Sequence, residues 1–128
     1  MGDAQEPLRV LLVDDEQGVA DALANFLQTG GYEVHAVCSP IQALTLADHL
    51  KPHALVADVV MSEMHGVELA DEFANRFPGC NVVLMSSAAS GPLVEEARRR
   101  KYIRAFFHKG RELQQQLLDS LDAMKRAA

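Results

Sequence analysis

The alternation of apolar and amphipathic segments constrains this chain more than any other feature. Five short apolar runs occur: Leu8–Val13, Tyr32–Val37, Ala54–Ala57, Val82–Met85 and Ile103–Phe107. A helical pattern follows each. Val19, Leu23, Phe26 and Leu27 recur at helical spacing over about Glu16 to Gln28, and Gly30-Gly31 supplies a left-handed stop. Ser39-Pro40 reads as N-cap and first helical residue, with Lys51-Pro52 ending that segment. After a loop to Gly66, Leu69, Ala70, Phe73 and Phe77 share a helix face that Pro78-Gly79 terminates. A polar helix with Glu95, Glu96 and Arg98–Arg100 precedes the fifth run, and the last helix carries Leu113, Leu117, Leu121 and Met124 on one side.

The first, third and fourth runs are apolar without alternation, as expected of parallel strands buried on both faces. Strict strand–helix alternation requires right-handed crossovers, so the expected class is α/β: one doubly wound (βα)5 domain with helices on both faces of a parallel sheet. The expected domain is the whole of 1–128, with its core over about 8–126 and no output domain. At 48% hydrophobic residues the chain has enough apolar surface for a core without a disulfide or metal staple. Cys38 and Cys80 are expected as small apolar core residues in a reducing compartment. A net charge of −6 argues against nucleic-acid binding by this segment. The polar start lacks a signal peptide, and no apolar run is long enough to span a bilayer, so the expectation is a cytoplasmic chain without membrane contact.

Ligand sites in such sheets lie beyond the carboxyl ends of the strands. There the first strand presents Asp14-Asp15, the third Asp58, the fourth Ser86, and the fifth leads to Lys109. Three converging carboxylates repel one another unless a cation neutralises them, and oxygen-only ligands select a hard ion such as Mg²⁺. A lysine and a hydroxyl add groups that hold phosphate oxygens. The set describes phosphoryl transfer onto a carboxylate.

The segments VLLVDDE (10–16), ALVADVVMSEMHGVEL (54–69), VVLMSS (82–87) and AFFHKG (105–110) resemble the response-regulator receiver family of two-component signalling, over about Val10 to Met124. That resemblance implies the flavodoxin-like strand order 2-1-3-4-5. It implies Asp58 as phosphoacceptor, with Mg²⁺ held by Asp15, Asp58 and the Val60 carbonyl, and by Asp14 through water. Ser86 would hold the phosphoryl group, Lys109 would pair with it, and Phe106 would be the aromatic that follows the state. A sensor histidine kinase or histidine phosphotransfer protein would donate. The surface of the fourth helix, fifth strand and fifth helix would signal to a downstream protein or fused output domain, or form a phosphorylation-dependent homodimer. Such a chain is not an enzyme, although it assists its own phosphorylation and dephosphorylation. Ser62 and Gly110 stand where the family often has proline, and Arg98–Lys101 where it commonly has Gly-Ala.

Each residue also has a plain structural reading. Asp14-Asp15 could form a turn and helix cap, Ser86 could bond its own loop, and Lys109 could be a solvated lysine. Phe106 or Phe107 could be pure core. The basic run Arg98–Lys101 reads first as cations complementing a helix dipole, second as a partner-binding patch. The five histidines share no metal-ligand spacing. Two other functions compete. An aspartyl phosphatase usually has a second aspartate two residues past the nucleophile, where this chain has Val60. A pseudo-receiver would bind partners without phosphorylation.

Overall fold

The computed structural model describes residues 6–127. In chain order the elements are β1 Arg9–Val13, α1 Gln17–Thr29, β2 Glu33–Val37, α2 Pro40–Leu50, β3 Ala54–Asp58, α3 Gly66–Arg76, β4 Asn81–Ser86, α4 Pro92–Arg98, β5 Ile103–His108 and α5 Leu113–Ala127. The five strands form one parallel sheet in the order β2-β1-β3-β4-β5. This is the doubly wound topology expected from the alternation. The strand order reverses at β1 and β3, whose carboxyl ends therefore flank the crevice where such sheets bind ligands.

Burial divides the strands as their sequences do. All five residues of β3 are buried, and β1 and β4 are buried beyond their first residue. The edge strands β2 and β5 are only partly covered. Alternate residues face opposite layers. Val10, Leu12, Val56, Val83 and Met85 pack with the inner faces of α1 and α5. Leu11, Val13, Leu55, Ala57 and Leu84 pack with Leu69, Ala70 and Phe73 of α3 and with Ala97 of α4. The face expected on α5 is the one buried.

Local chemistry sets the helix ends. The Ser39 hydroxyl accepts the Gln42 N–H at 3.3 Å, capping α2 with Pro40 in its first turn. The carboxyl end of α2 is capped from a distance: Arg9 donates through Nε to the Leu50 carbonyl at 2.9 Å and through Nη2 to the Lys51 carbonyl at 2.8 Å. At the end of α1, Gly31 takes the left-handed conformation (φ +96°), while Gly30 stays at −82°. The polar helix α4 is shorter than expected, so Arg99 and Arg100 lie beyond it. Both cysteines are free but only partly buried, which corrects the expectation that they are core residues. Cys38 Sγ lies 2.9 Å from Gln17 Oε1 in a polar setting. Cys80 packs against the α3 side of the core, and burial pushes its thiol up to about 12, which makes it unreactive. Among the described residues no helix is long and apolar enough to cross a membrane.

The amino-terminal rim of the sheet contains one pH-sensitive contact. His53 Nδ1 accepts the backbone N–H of Arg9 at 2.9 Å, which requires an unprotonated Nδ1. Burial, then the nearby Arg9 guanidinium, holds this imidazole below its ordinary value. The unfolded chain therefore binds the proton first, so His53 lowers stability as pH falls below about 6.5, the ordinary histidine value. Urea unfolding at pH 7.5 and 5.5 should show a loss of stability that is smaller in His53→Asn. The His53 ring resonances should titrate below those of a free histidine.

Candidate functional site at the carboxyl rim of the sheet

Each strand ends by handing one side chain to the same rim. Asp14 directly follows β1, and its N–H continues the ladder to the Val37 carbonyl at 3.2 Å. Asp58 is the last residue of β3, and the next N–H, of Val59, bonds the Met85 carbonyl at 2.9 Å. Ser86 ends β4, and its carbonyl accepts the Lys109 N–H at 2.8 Å. These extra rungs prolong the sheet past its formal ends, so the functional side chains start from backbone as rigid as the strands.

The side chains converge. Lys109 Nζ donates to Asp14 Oδ2 at 2.6 Å and to Asp58 Oδ2 at 2.9 Å. The pairing is nearly dry: the side chain of Asp14 is 0% exposed, that of Asp58 8% and that of Lys109 12%. Asp15 is exposed, yet carboxylate oxygens of Asp14, Asp15 and Asp58 all lie within 4.8 Å of one another. The remaining acceptors are used as well. Asp14 Oδ1 takes the Glu16 N–H at 3.0 Å, and Asp58 Oδ1 takes the Val60 N–H at 3.2 Å. Helix α1 is capped at Glu16 without a side-chain bond, so the acidic pair is not its cap.

Burial raises the Asp58 carboxyl above its ordinary range, and the Lys109 ammonium and the Val60 N–H oppose that rise. Burial would lower the Lys109 ammonium, but its bonds to Asp14 and Asp58 outweigh burial and raise it. The lysine is thus a fixed positive charge. An all-oxygen donor set of three carboxylates suits a hard cation such as Mg²⁺ and offers nothing to a soft one.

Ser86 and Phe106 sit close by in different settings. Ser86 is fully buried, and its Oγ accepts the Ala88 N–H at 3.0 Å. A cavity of about 190 Å³ opens beside it, bounded by Val60, Ala88, Gly91 and Leu93. Phe106 is half-buried on the α3–α4 side of the sheet, and Phe107 packs on the α1–α5 side. Lys109 reaches the site although Gly110 follows it. The loop turns back through Gly110 N–H to the His108 carbonyl at 2.9 Å and Leu113 N–H to the Gly110 carbonyl at 3.2 Å.

Three features had no local signal in the sequence. The Arg98 guanidinium lies over the Phe106 ring, 5.3 Å from its centroid. His108 Nε2 lies 3.2 Å from the Ser87 carbonyl, tying the loops after β4 and β5 together. His65 caps α3, with Nδ1 accepting the Glu68 N–H at 3.2 Å.

A doubly wound sheet of this order with an acidic, lysine-bridged rim defines a class of signalling module, and the comparisons name it. The family described as the response regulator receiver domain matches residues 10–121. The chain belongs to this family and is a receiver domain of two-component signalling. It is 35% identical over 91 residues to a response regulator receiver protein of Anaeromyxobacter sp. (strain Fw109-5), covering 71% of this chain and 38% of that protein. It is 34% identical over 97 residues to the transcriptional regulatory protein PdtaR of Mycobacterium tuberculosis, covering 75% of this chain and 47% of the relative. The chain thus spans less than half the length of these relatives. The fold matches the crystal structure of a signal receiver domain from an HD domain-containing protein of Pseudomonas fluorescens Pf-5 with a TM-score of 0.84 at 19% identity, covering 99% of this chain and 96% of that one.

Gly66 holds the rim together from behind. Its N–H donates to the Val59 carbonyl at 2.7 Å, and a Cβ there would lie 2.3 Å from the Asp58 carbonyl oxygen. Backbone cannot yield as a flexible side chain would. Gly66→Ala should cost about 1–3 kcal/mol, the usual range for overpacking. Urea denaturation checks this, and the amide resonances of Asp58 and Val59 should shift most.

Proposed function

We propose that this receiver accepts a phosphoryl group on Asp58 and that phosphorylation switches the surface formed by α4, β5 and α5. The observation that carries the reading is the convergence of Lys109 Nζ on Asp14 and Asp58 beside a third carboxylate. A carboxylate oxygen of Asp58 attacks phosphorus in line. The N–P bond of a donor phosphohistidine breaks, and the imidazole leaves with the electron pair and takes up a proton. Asp15, Asp58 and the Val60 carbonyl would hold Mg²⁺, with Asp14 acting through water. The ion would offset charge on the phosphoryl oxygens. Lys109, already held against Asp58, supplies a further positive charge for the phosphoryl oxygens.

The acyl phosphate adds about one negative charge beside Ser86. The Ser86 hydroxyl then donates to a phosphoryl oxygen, and Phe106 moves towards the space that the hydroxyl leaves. Nearly complete switching requires about 5 kcal/mol of differential binding, and a few charge-assisted hydrogen bonds supply energy on that scale. The donor is a histidine kinase or a histidine phosphotransfer protein, and the switched surface acts on a downstream protein or an output domain. Val60 stands where an aspartyl phosphatase needs its second acid, so turnover of small phosphate esters is not expected.

Incubation with acetyl phosphate and Mg²⁺ should add one phosphoryl group by mass spectrometry. The gain should be absent in Asp58→Asn and abolished by EDTA. No mass gain in the wild type would instead favour a partner-binding domain that works without phosphorylation.

The lifetime of the acyl phosphate follows from the flanking residues. Val60, 56% exposed, and Ala88 both lack a polar group to orient water. Dephosphorylation is therefore modest and governed by access. Val60→Gln should shorten the phosphoprotein half-life by several fold in a decay assay, while leaving the extent of initial labelling unchanged.

A further inference from the structure

We propose that the cavity beside Ser86 is an acyl subsite, which makes short-chain acyl phosphates such as butyryl phosphate preferred small-molecule donors for Asp58. The inference adds a substrate class to the role given to Asp58 above and rests on that role. The cavity has a volume of about 190 Å³ and lies between the loop after β3 and the segment that leads from β4 into α4. Val60 and Ala88 form one part of its wall, and Pro92, Leu93 and Val94 another. Among the described residues no charged side chain borders it, and its polar side chains are the hydroxyls of Ser86 and Ser90. The local sequence builds this hollow. Gly91 takes φ +126°, which side chains rarely adopt, and a Cβ there would meet nothing within 4 Å. Pro92 then fixes the entry into α4, with Val94 buried and Leu93 half covered at the margin of the α3–α4 core.

Position and size decide the occupant. The Val60 N–H bonds Asp58 Oδ1 at 3.2 Å, and the Ala88 N–H bonds Ser86 Oγ at 3.0 Å. Two wall residues are thus one hydrogen bond from the reacting carboxylate and from the hydroxyl that would hold the phosphoryl group. At the other oxygen of Asp58, Lys109 Nζ lies 2.9 Å away and supplies a cation for that group. A ligand spanning both regions is a dianion at one end and a hydrocarbon at the other, joined within a few atoms. An apolar cavity of about 150 Å³ holds a benzene-sized guest, so this one suits a short hydrocarbon chain and is too small for a peptide segment. An acyl phosphate has that shape. Phosphoramidate, whose leaving group is ammonia, has nothing to place there. The step balances without a further reactant. A carboxylate oxygen of Asp58 bonds to phosphorus, the bond from phosphorus to the bridging acyl oxygen breaks, and the free carboxylate leaves with that electron pair. Acetyl and butyryl phosphate release carboxylates of nearly equal basicity, so a difference in their rates reports contacts with the chain.

The test compares second-order rates of labelling of the whole chain by phosphoramidate, acetyl phosphate and butyryl phosphate with Mg²⁺, read by mass spectrometry. Butyryl phosphate should label about fivefold to tenfold faster than acetyl phosphate, because two further methylenes leave water. Ser90→Phe fills the cavity from its exposed rim, and Leu93→Asn makes its wall polar. Each should remove the preference for butyryl phosphate and leave the phosphoramidate rate unchanged, and circular dichroism checks that both fold. The unreactive analogue 2-oxopentylphosphonate, with a methylene in place of the bridging oxygen, should shift the amide resonances of Ala88, Leu93 and Val94. The subsite is overturned by equal rates for the two acyl donors, by a preference that both variants retain, or by analogue shifts confined to Asp58 and Lys109. The two readings fail separately. Labelling by phosphoramidate with equal acyl rates removes the subsite alone. Absence of labelling by every donor removes the role of Asp58, and the analogue shifts then decide whether the cavity binds the chain.

Discussion

The ammonium of Lys109 between Asp14 and Asp58 is the interaction on which the functional rim depends. Two buried carboxylates brought together at one end of a sheet repel each other, and burial makes that repulsion stronger. The lysine offsets it with two short, charge-assisted bonds in a nearly water-free setting. The same positive charge is available to a dianionic phosphoryl group, so the feature that makes the folded site tolerable also suits it to phosphoryl transfer.

Parallel strands make this convergence geometrically simple. All five strands point the same way, so their last residues reach one rim, and the ladder bonds that continue past β1, β3 and β4 keep those residues in register. Gly66 lets the α3 turn press against the Asp58 backbone, while the Ser86–Ala88 turn holds the hydroxyl poised nearby. The two layers of core serve different ends. The α1–α5 side anchors the sheet with long apolar side chains. The α3–α4 side holds Phe106 at its margin, partly buried beside the short helix α4.

Most of the fold was legible because local and global signals agree. Uniformly apolar runs at 10–13, 54–57 and 82–85 read as central strands and are buried as such. The heptad-like spacing of Leu113, Leu117, Leu121 and Met124 picked out the buried face of α5. Boundaries were less legible. The three arginines after Ala97 look helical by composition, yet α4 stops at Arg98, and Arg100 beyond it pairs with Asp71 of α3. Cys38 looked like core by residue type. It stands partly exposed because it follows the edge strand β2, which is covered less fully than the centre.

From the sequence alone, the periodicity of apolar residues determined a doubly wound sheet, and the positions of Asp14, Asp15, Asp58, Ser86 and Lys109 at strand ends determined which rim gathers the acidic, hydroxyl and lysine side chains. Those are consequences of short-range pattern and of chain direction in a parallel sheet. Only the tertiary structure decided which contacts form between residues far apart in the chain: Lys109 reaching two carboxylates past a glycine, Arg98 settling over Phe106, and Arg9 capping a helix that ends more than forty positions later. Such contacts depend on how elements pack in three dimensions, and no local spacing encodes the angle at which one layer meets another.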